Sequence, residues 1–241
     1  MKLYAVGIGP GDLTFLAPCA ADVIRECEVI VGYTPYITMI ESLVEGKTII
    51  STGMKSEVER CQKAVEEALA GKKVAVISSG DAGIYGMAPL LYEIAESHPE
   101  IEVEVIPGIT AANSAASMLG SPLSNDFAVI SLSDLMTPWE VIEKRLHSAS
   151  QGDFVIALYN PRSMKRSDYL AKACQISLEY KPADTWCGYV RNALRGESIC
   201  QICTLEELIH AEVDMFTTVI IGNSATKIID GKLVTTRGYQ V

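Results

Sequence analysis

The chain lacks the features that define several large protein classes. Apolar runs such as Val74-Ala75-Val76-Ile77 and Thr218-Val219-Ile220-Ile221 stay far below the ~20 residues that span a bilayer. The start, Met1-Lys2-Leu3-Tyr4, has no apolar stretch of the signal-peptide kind, so the expectation is a soluble, cytoplasmic protein with no membrane partner. Positive charge is in deficit: 20 Lys and Arg against 30 Asp and Glu leave a net charge of −10. That balance disfavours attraction to the phosphates of nucleic acid, and no nucleic-acid partner is expected. The only histidines are His98, His147 and His210, none with a partner at metal-ligand spacing, so no metal site is expected. Neither a G-x-S-x-G elbow nor a P-loop occurs. Seven cysteines, scattered from Cys19 to Cys203, make no disulfide framework and read as thiols of a reduced compartment. Cys200-Gln201-Ile202-Cys203 is a lone C-x-x-C in a strand-like run, weak support for zinc or dithiol chemistry.

What is present is a regular alternation. Short β-branched runs at 2–6, 28–31, 47–51, 73–78 and 102–106 read as strands, and helical periods lie between them. In residues 57–70, Val58, Cys61, Val65, Ala68 and Leu69 recur at helical spacing among charged residues, one stripe for packing and one for water. Val74-Ala75-Val76-Ile77 is apolar on both faces, as in a central parallel strand covered by helices on each side. These are βαβ units, and the fold class is α/β with a mostly parallel first sheet.

A helix is expected over 110–119. The turn formers Gly120-Ser121-Pro122-Leu123-Ser124-Asn125-Asp126 then mark a boundary between a first domain, 1–119, and a second, 120–241. The second half resumes with strands at 127–130, 153–158, 185–190, 198–202 and 215–221 and helices at 139–149 and 167–179. Asp230-Gly231, between Lys227-Ile228-Ile229 and Lys232-Leu233-Val234, is a hairpin signal that predicts a mixed second sheet.

Chemistry concentrates in the loops after strands. Gly7-Ile8-Gly9-Pro10-Gly11-Asp12 occupies the place of a dinucleotide fingerprint, before a helix expected near Thr14, and fails as one. Asp12 replaces the third glycine with a negative charge, and Pro10 removes an N–H that would face a phosphate. The loop is a tight turn or a backbone surface for a ligand without phosphates. Ser78-Ser79-Gly80-Asp81-Ala82-Gly83-Ile84-Tyr85-Gly86 follows the most hydrophobic strand of this half, and its glycines imply close backbone approach. Asp81 either accepts hydrogen bonds from a ligand or caps a helix; Tyr85 either stacks or fills core. Pro107-Gly108-Ile109-Thr110-Ala111 opens a small-residue helix, with Thr110 also suited to an N-cap. In the second half, Ser131-Leu132-Ser133-Asp134 and Leu158-Tyr159-Asn160-Pro161-Arg162-Ser163 are rich in hydrogen-bonding groups. Arg162, Lys165 and Arg166 form a basic cluster, and Arg191 and Arg195 a smaller one, suited to carboxylates or to a solvated face.

Together, the three glycine loops, in this order and spacing, resemble the tetrapyrrole (corrin/porphyrin) methyltransferase family. Ser78 to Met87, Asp126-Phe127, Ser131-Leu132-Ser133-Asp134-Leu135, Thr137-Pro138-Trp139, Tyr159-Asn160-Pro161-Arg162-Ser163 and Arg237-Gly238-Tyr239 are most similar to its branch that methylates precorrin-3B or cobalt-factor III at C17. Ala82, where many relatives carry proline, is a departure in keeping with that branch. The resemblance implies two α/β domains with S-adenosylmethionine (SAM) in a cleft between them, and usually a homodimer. By motif it implies SAM contacts at Pro10, Gly80, Asp81, Ala82, Ile84, Tyr85, Thr110, Ala111, Tyr159 and Asn160, with Ala193 and Ser224 on a looser alignment. The implied reaction methylates C17 of a polycarboxylate macrocycle and contracts the ring by extruding C20, with S-adenosylhomocysteine as the spent cofactor. Asp81, Tyr85, Ser133 and Asp134 are the candidates for moving a proton in the contraction, and Lys55, Arg162, Lys165, Arg166 and Arg191 for holding carboxylates. The rival readings are a methylase of the same family acting at C11 or C20, a nicotinamide-dependent oxidoreductase, and a non-catalytic ligand-binding α/β protein.

Overall fold

The computed structural model describes residues 1–163 and 167–240, so Lys165 and Arg166 lie outside the described residues. The chain divides into two compact units, Met1–Thr110 and Ala111–Val241.

In the first unit, β1 (Lys2–Gly7), β2 (Val29–Tyr33), β3 (Thr48–Thr52), β4 (Val74–Ser78) and β5 (Glu102–Ile106) stand within two residues of the expected runs. They form one sheet in the order β3-β2-β4-β1-β5, with every neighbouring pair parallel. Alternate side chains serve opposite faces. Leu3, Ala5, Val29, Val31, Val74 and Val76 pack with α3 (Glu57–Leu69) and α4 (Ala88–Ala95). Tyr4, Val6, Ile30, Ala75 and Ile77 pack with Ala20 and Ile24 of α1 (Pro18–Glu26) and with Ile40 and Val44. Burial of a Val, Leu or Ile side chain contributes about 1.5–3 kcal/mol, so the doubly covered sheet explains why these runs are continuous rather than alternating.

Two local expectations shift. The element at Thr14 is a single 3₁₀ turn, Leu13–Phe15, and α1 begins only at Pro18. Asp12 caps that turn, its Oδ1 accepting from the Thr14 amide at 2.9 Å and hydroxyl at 2.8 Å. Those bonds hold the Asp12 carboxyl below the usual aspartate range. On α3 the packed stripe is Cys61, Ala64, Val65 and Ala68, while Val58, one turn before it, is exposed. Two short helices, α2 (Thr34–Met39) and α4, carry proline in the first turn, where the missing N–H has no intrahelical partner to lose.

The second unit opens with α5 (Ala111–Leu119), which packs here rather than closing the first domain. Its Ala115, Ala116 and Leu119 sit with Val155, Val190, Ile220 and Leu233. Gly188 makes room for it, since a Cβ there would lie 2.5 Å from Leu119 Cδ2. The five-stranded sheet comprises β7 (Phe127–Ser131), β8 (Val155–Tyr159), β9 (Trp186–Arg191), β10 (Ile199–Thr204) and β11 (Thr217–Ile221), in the order β10-β9-β11-β8-β7. β7 and β8 are parallel; the other pairs are antiparallel, so the sheet is mixed. Its other face is covered by α6 (Trp139–Gln151), α7 (Tyr169–Leu178) and α8 (Leu205–Leu208).

The hairpin forms as expected, from β12 (Thr226–Ile229) and β13 (Lys232–Thr235), but it does not join that sheet. β13 pairs instead with β6 (Gly120–Ser121), making a separate three-stranded sheet. The turn-forming segment after α5 thus supplies a strand edge. All seven cysteines are free. Cys200 and Cys203 are three apart on β10 and so point to opposite faces, which rules out a shared ligand. No cluster that could hold a metal ion occurs among the described residues, and among them no helix is long and apolar enough to cross a membrane.

Candidate functional site

The strand order of the first unit makes β4, β1 and β5 neighbours, so the three glycine loops, separate in sequence, leave the sheet side by side at its carboxyl end. That end is where open α/β sheets bind ligands. The loops then interlock through their backbones. Gly9 and Gly80 exchange hydrogen bonds of 3.0 and 2.7 Å, and the Ile8 amide donates to Ser78 O at 2.9 Å. A Cβ on Gly7 would lie 2.7 Å from Gly108 N and 2.8 Å from Gly80 O; one on Gly108 would overlap the Gly80 and Gly7 carbonyls. Glycine is required at Gly7 and Gly108 by the approach of backbone to backbone.

Asp81 joins the loops a second time. Its Oδ1 accepts from the Gly83 and Ile84 amides at 2.8 and 3.1 Å, and its Oδ2 from the Gly108 amide at 3.0 Å. Both carboxylate oxygens are engaged by main chain, which makes Asp81 a holder of loop geometry. Ala82 is fully buried. Tyr85 is the opposite: its φ is 54°, and its side chain is 56% exposed. A left-handed, non-glycine residue at a strand-end loop stores about 1 kcal/mol or more and marks a functional segment. The loop's far end is tied by the Met87 amide on Ser78 Oγ and the Ala88 amide on Ala82 O. Arg60, buried on α3, reaches Thr52 Oγ1 at 2.8 Å, Gly53 O at 3.0 Å and the Met87 sulfur, a bracing role that the helical pattern alone did not disclose. Lys55, exposed and with φ 65°, follows β3 at the same end.

The donor set is informative. Residues 7–12, 78–87 and 107–111 contain no Lys or Arg but two carboxylates, Asp12 and Asp81. Phosphates would meet no counter-charge here, whereas a cationic, phosphate-free ligand would meet a favourable field. The glycine-lined backbone surface fits SAM, a sulfonium, on both counts.

In the second unit, Tyr159 and Asn160 leave β8 beside the end of β7, with Ser131 opposite Tyr159. Ser131 Oγ accepts from Asn160 Nδ2 at 3.0 Å and from the Ser133 amide at 3.2 Å, so Ser133 and Asn160 are drawn together. Tyr159 Oη accepts from the Ala112 amide at 2.7 Å, anchoring the first turn of α5 beside Ala111. Asp134 Oδ2 accepts from Tyr169 Oη at 2.7 Å, a partner the sequence pattern did not single out. Ala193 lies past β9, which is parallel to β8 by way of β11, and so shares this end. It stands between Asn192 and Leu194, both left-handed with φ 51° and 54°. Arg191 is paired to Asp214 at 2.7 Å.

Ser224 is not with this group. It follows β11, whose last residue, Ile221, faces Ile156 near the start of β8. Its amide and hydroxyl bond the Asp153 carboxylate at the opposite end of the sheet from Tyr159. The four proton-transfer candidates divide between the units: Asp81 and Tyr85 in the first, Ser133 and Asp134 in the second.

Fold and site together define an α/β protein of two units whose first presents glycine-interlocked, phosphate-averse loops at the carboxyl end of a parallel sheet. Residues 2–209 match the family model Tetrapyrrole (Corrin/Porphyrin) Methylases, and the chain belongs to that family. It is 46% identical to a Salmonella typhimurium protein named probable cobalt-factor III C(17)-methyltransferase, over 98% of this chain and 99% of that one. It is 47% identical to the cobalt-factor III methyltransferase of Priestia megaterium, over 99% of this chain but 45% of that one. A precorrin-3B C(17)-methyltransferase from Sinorhizobium is 36% identical over 95% and 91% of the two chains. The chain spans about half the length of the Priestia relative and of a similar protein from Archaeoglobus fulgidus. Among solved structures, that of the methyltransferase CobJ superposes with a TM-score of 0.90 at 36% identity, covering 98% of this chain and 99% of that one.

Proposed function

We propose that this protein uses SAM to methylate C17 of cobalt-factor III or precorrin-3B with contraction of the macrocycle, a step of cobalamin biosynthesis. The observation that carries the reading is the interlock of Gly7, Gly80 and Gly108 around the Asp81 carboxylate, a backbone surface without basic residues. In the first unit the proposed cofactor contacts are Pro10, the 80–82 backbone, Ile84, Tyr85 and Thr110; in the second they are Ala111, Tyr159, Asn160 and Ala193. Bound SAM supplies a methyl group activated by its sulfonium sulfur. The protein's part is alignment, because transfer to an electron-rich ring carbon depends on a linear approach more than on a base. The strained Tyr85 and Asn160 backbones are set for that alignment.

Ring contraction requires an oxygen to lose a proton, and Tyr85, Ser133 and Asp134 are the groups proposed to take or relay it. Asp81 is assigned to loop geometry instead, since main-chain amides occupy both its oxygens. Lys55, Arg162 and Arg191 are proposed to hold peripheral carboxylates. Identities of 46–47% to relatives named for cobalt-factor III, against 36% to one named for precorrin-3B, support the cobalt form as the preferred substrate. A cytoplasmic homodimer is the proposed state, to be checked by sedimentation.

The test is anaerobic incubation with methyl-labelled SAM and either tetrapyrrole, followed by mass spectrometry and NMR of the product. Label at C17 of a contracted ring is expected. Label at C11 or C20 would move the protein to another branch of the family, and SAM binding without transfer to any tetrapyrrole would refute the activity.

A further inference from the structure

At the end of the second sheet that carries Tyr159 and Asn160, large apolar side chains stand in water on a rigid base. Leu135 is 70% exposed and Met136 94%. Their loop is nonetheless pinned on both sides. Before them, Asp134 accepts from Tyr169 Oη and the Ser133 amide donates to Ser131 Oγ. After them, Trp139 packs on Tyr169 with ring centroids 4.5 Å apart, and Pro138 O accepts from the Val141 and Ile142 amides. A fixed stem with an apolar tip in solvent is unfavourable unless something covers it.

A second apolar pair stands nearby. β11 enters the sheet at this same end, preceded by the exposed Met215 and Phe216. Phe216 is also held, its carbonyl accepting from the Asn192 amide at 3.1 Å and its amide donating to Asp214 Oδ1 at 2.9 Å. Since β7 and β11 flank β8, the two pairs straddle the loop Tyr159-Asn160-Pro161-Arg162, at strand spacings that place their stems roughly 10 Å apart. Arg162 is exposed and makes no ion pair among the described residues. In a chain of net charge −10, that is a cation held in reserve between two apolar rims.

We propose that Leu135, Met136, Met215 and Phe216 seat one apolar face of the tetrapyrrole macrocycle, while Arg162 takes one of its peripheral carboxylates. The inference rests on the substrate class proposed above and assigns that substrate a seat in the second unit. A flat, apolar plate fringed with carboxylates matches this surface in polarity and charge. A second copy of the chain matches it less well, because four side chains offer on the order of 400 Å², half of the ~800 Å² per partner in a stable protein interface.

The test compares wild type with the Leu135→Ser/Met136→Ser double variant, with Phe216→Ser and with Arg162→Gln. Binding of cobalt-factor III is read by its own absorbance without SAM, alongside SAM affinity, kcat, KM and sedimentation. The double variant is expected to weaken macrocycle binding at least tenfold, and Phe216→Ser and Arg162→Gln roughly fivefold each. KM for the macrocycle should rise in step, while SAM affinity and sedimentation stay within twofold. Macrocycle affinity unchanged in all three variants would overturn the seat, as would a change of association state in any of them. Wild type that binds the macrocycle with loss in the variants but transfers no methyl would refute the activity and uphold the seat. Wild type that binds no tetrapyrrole would overturn both.

Discussion

Replacing Gly7 by alanine puts the interlock of the three loops to a direct test. The new Cβ would lie 2.7 Å from Gly108 N, 2.8 Å from Gly80 O and 2.9 Å from Gly108 Cα. All three atoms are main chain of the loops that follow the neighbouring strands, so no rotamer change relieves the overlap; the end of β1 must move away from the loops after both β4 and β5. Overpacking a filled site costs about 1–3 kcal/mol when side chains can yield, and here the upper end applies. At roughly 2–4 °C per kcal/mol for a chain of this size, Gly7→Ala should lower the melting temperature by about 6–12 °C. It should also weaken SAM binding by tenfold or more, because the Gly9–Gly80 bridge is displaced. Gly53→Ala is the matched control at the same end of the sheet: a Cβ there meets nothing within 4 Å. It should be neutral or slightly stabilising. Thermal denaturation and titration calorimetry read both effects. A Gly7→Ala protein that melts within 1–2 °C of wild type and binds SAM normally would show the interlock to be slack and would remove the main support for the cofactor surface.

Three further outcomes are expected. Asp81→Asn places an amide donor against the Gly108, Gly83 or Ile84 N–H groups that now meet carboxylate oxygen, so stability should fall by roughly 2–3 kcal/mol, with weaker SAM binding; wild-type stability in chemical denaturation would contradict the holding role. Asp153 is raised by burial but more than offset by the Ser224 hydroxyl and amide and by Lys181, leaving its carboxyl below the usual aspartate range. Its contribution is therefore complete above the unfolded value of about 3.9 and lost as pH falls through the lower folded value. Asp153→Asn should depress the melting temperature by roughly 2–4 °C at pH 7, a modest figure for a half-exposed group, and by less at pH 3; equal losses at both would refute the assignment. For the thiols, a disulfide-exchange reagent at pH 8 should label Cys19 and Cys200 quickly, since both are exposed. Cys27, Cys61 and Cys174, pushed up to about 12 by burial, should react only after denaturation, and rapid labelling of more than three thiols in the folded protein would count against the fold.

Much of the fold was legible along the chain because its cause is local. The runs that became the central strands β1, β2 and β4 are apolar on both faces, and that composition suits a covered parallel sheet. Asp230-Gly231 specified its hairpin because both turn residues must adopt positive φ, here 50° and 71°. Pro10 and Asp12 excluded a phosphate cradle by covalent structure and charge. What the sequence could not specify was which surfaces meet. α5 carries small residues suited to close packing, but its place in the second unit rests on partners far along the chain, Val155, Val190, Ile220 and Leu233, with room left by Gly188. The hairpin's strand pairs with Gly120-Ser121, whose turn-forming composition gave no sign of a strand edge. Ser224 follows a strand end as Tyr159 and Ala193 do, yet the antiparallel run of β11 carries it to the opposite end of the sheet. Asp81 fits a ligand contact or a helix cap by local pattern, and becomes the tie between two loops only because the strand order sets Gly108 beside it. Local sequence determined conformation and charge, which depend on near neighbours; tertiary structure decided partners, which depend on strand order and direction.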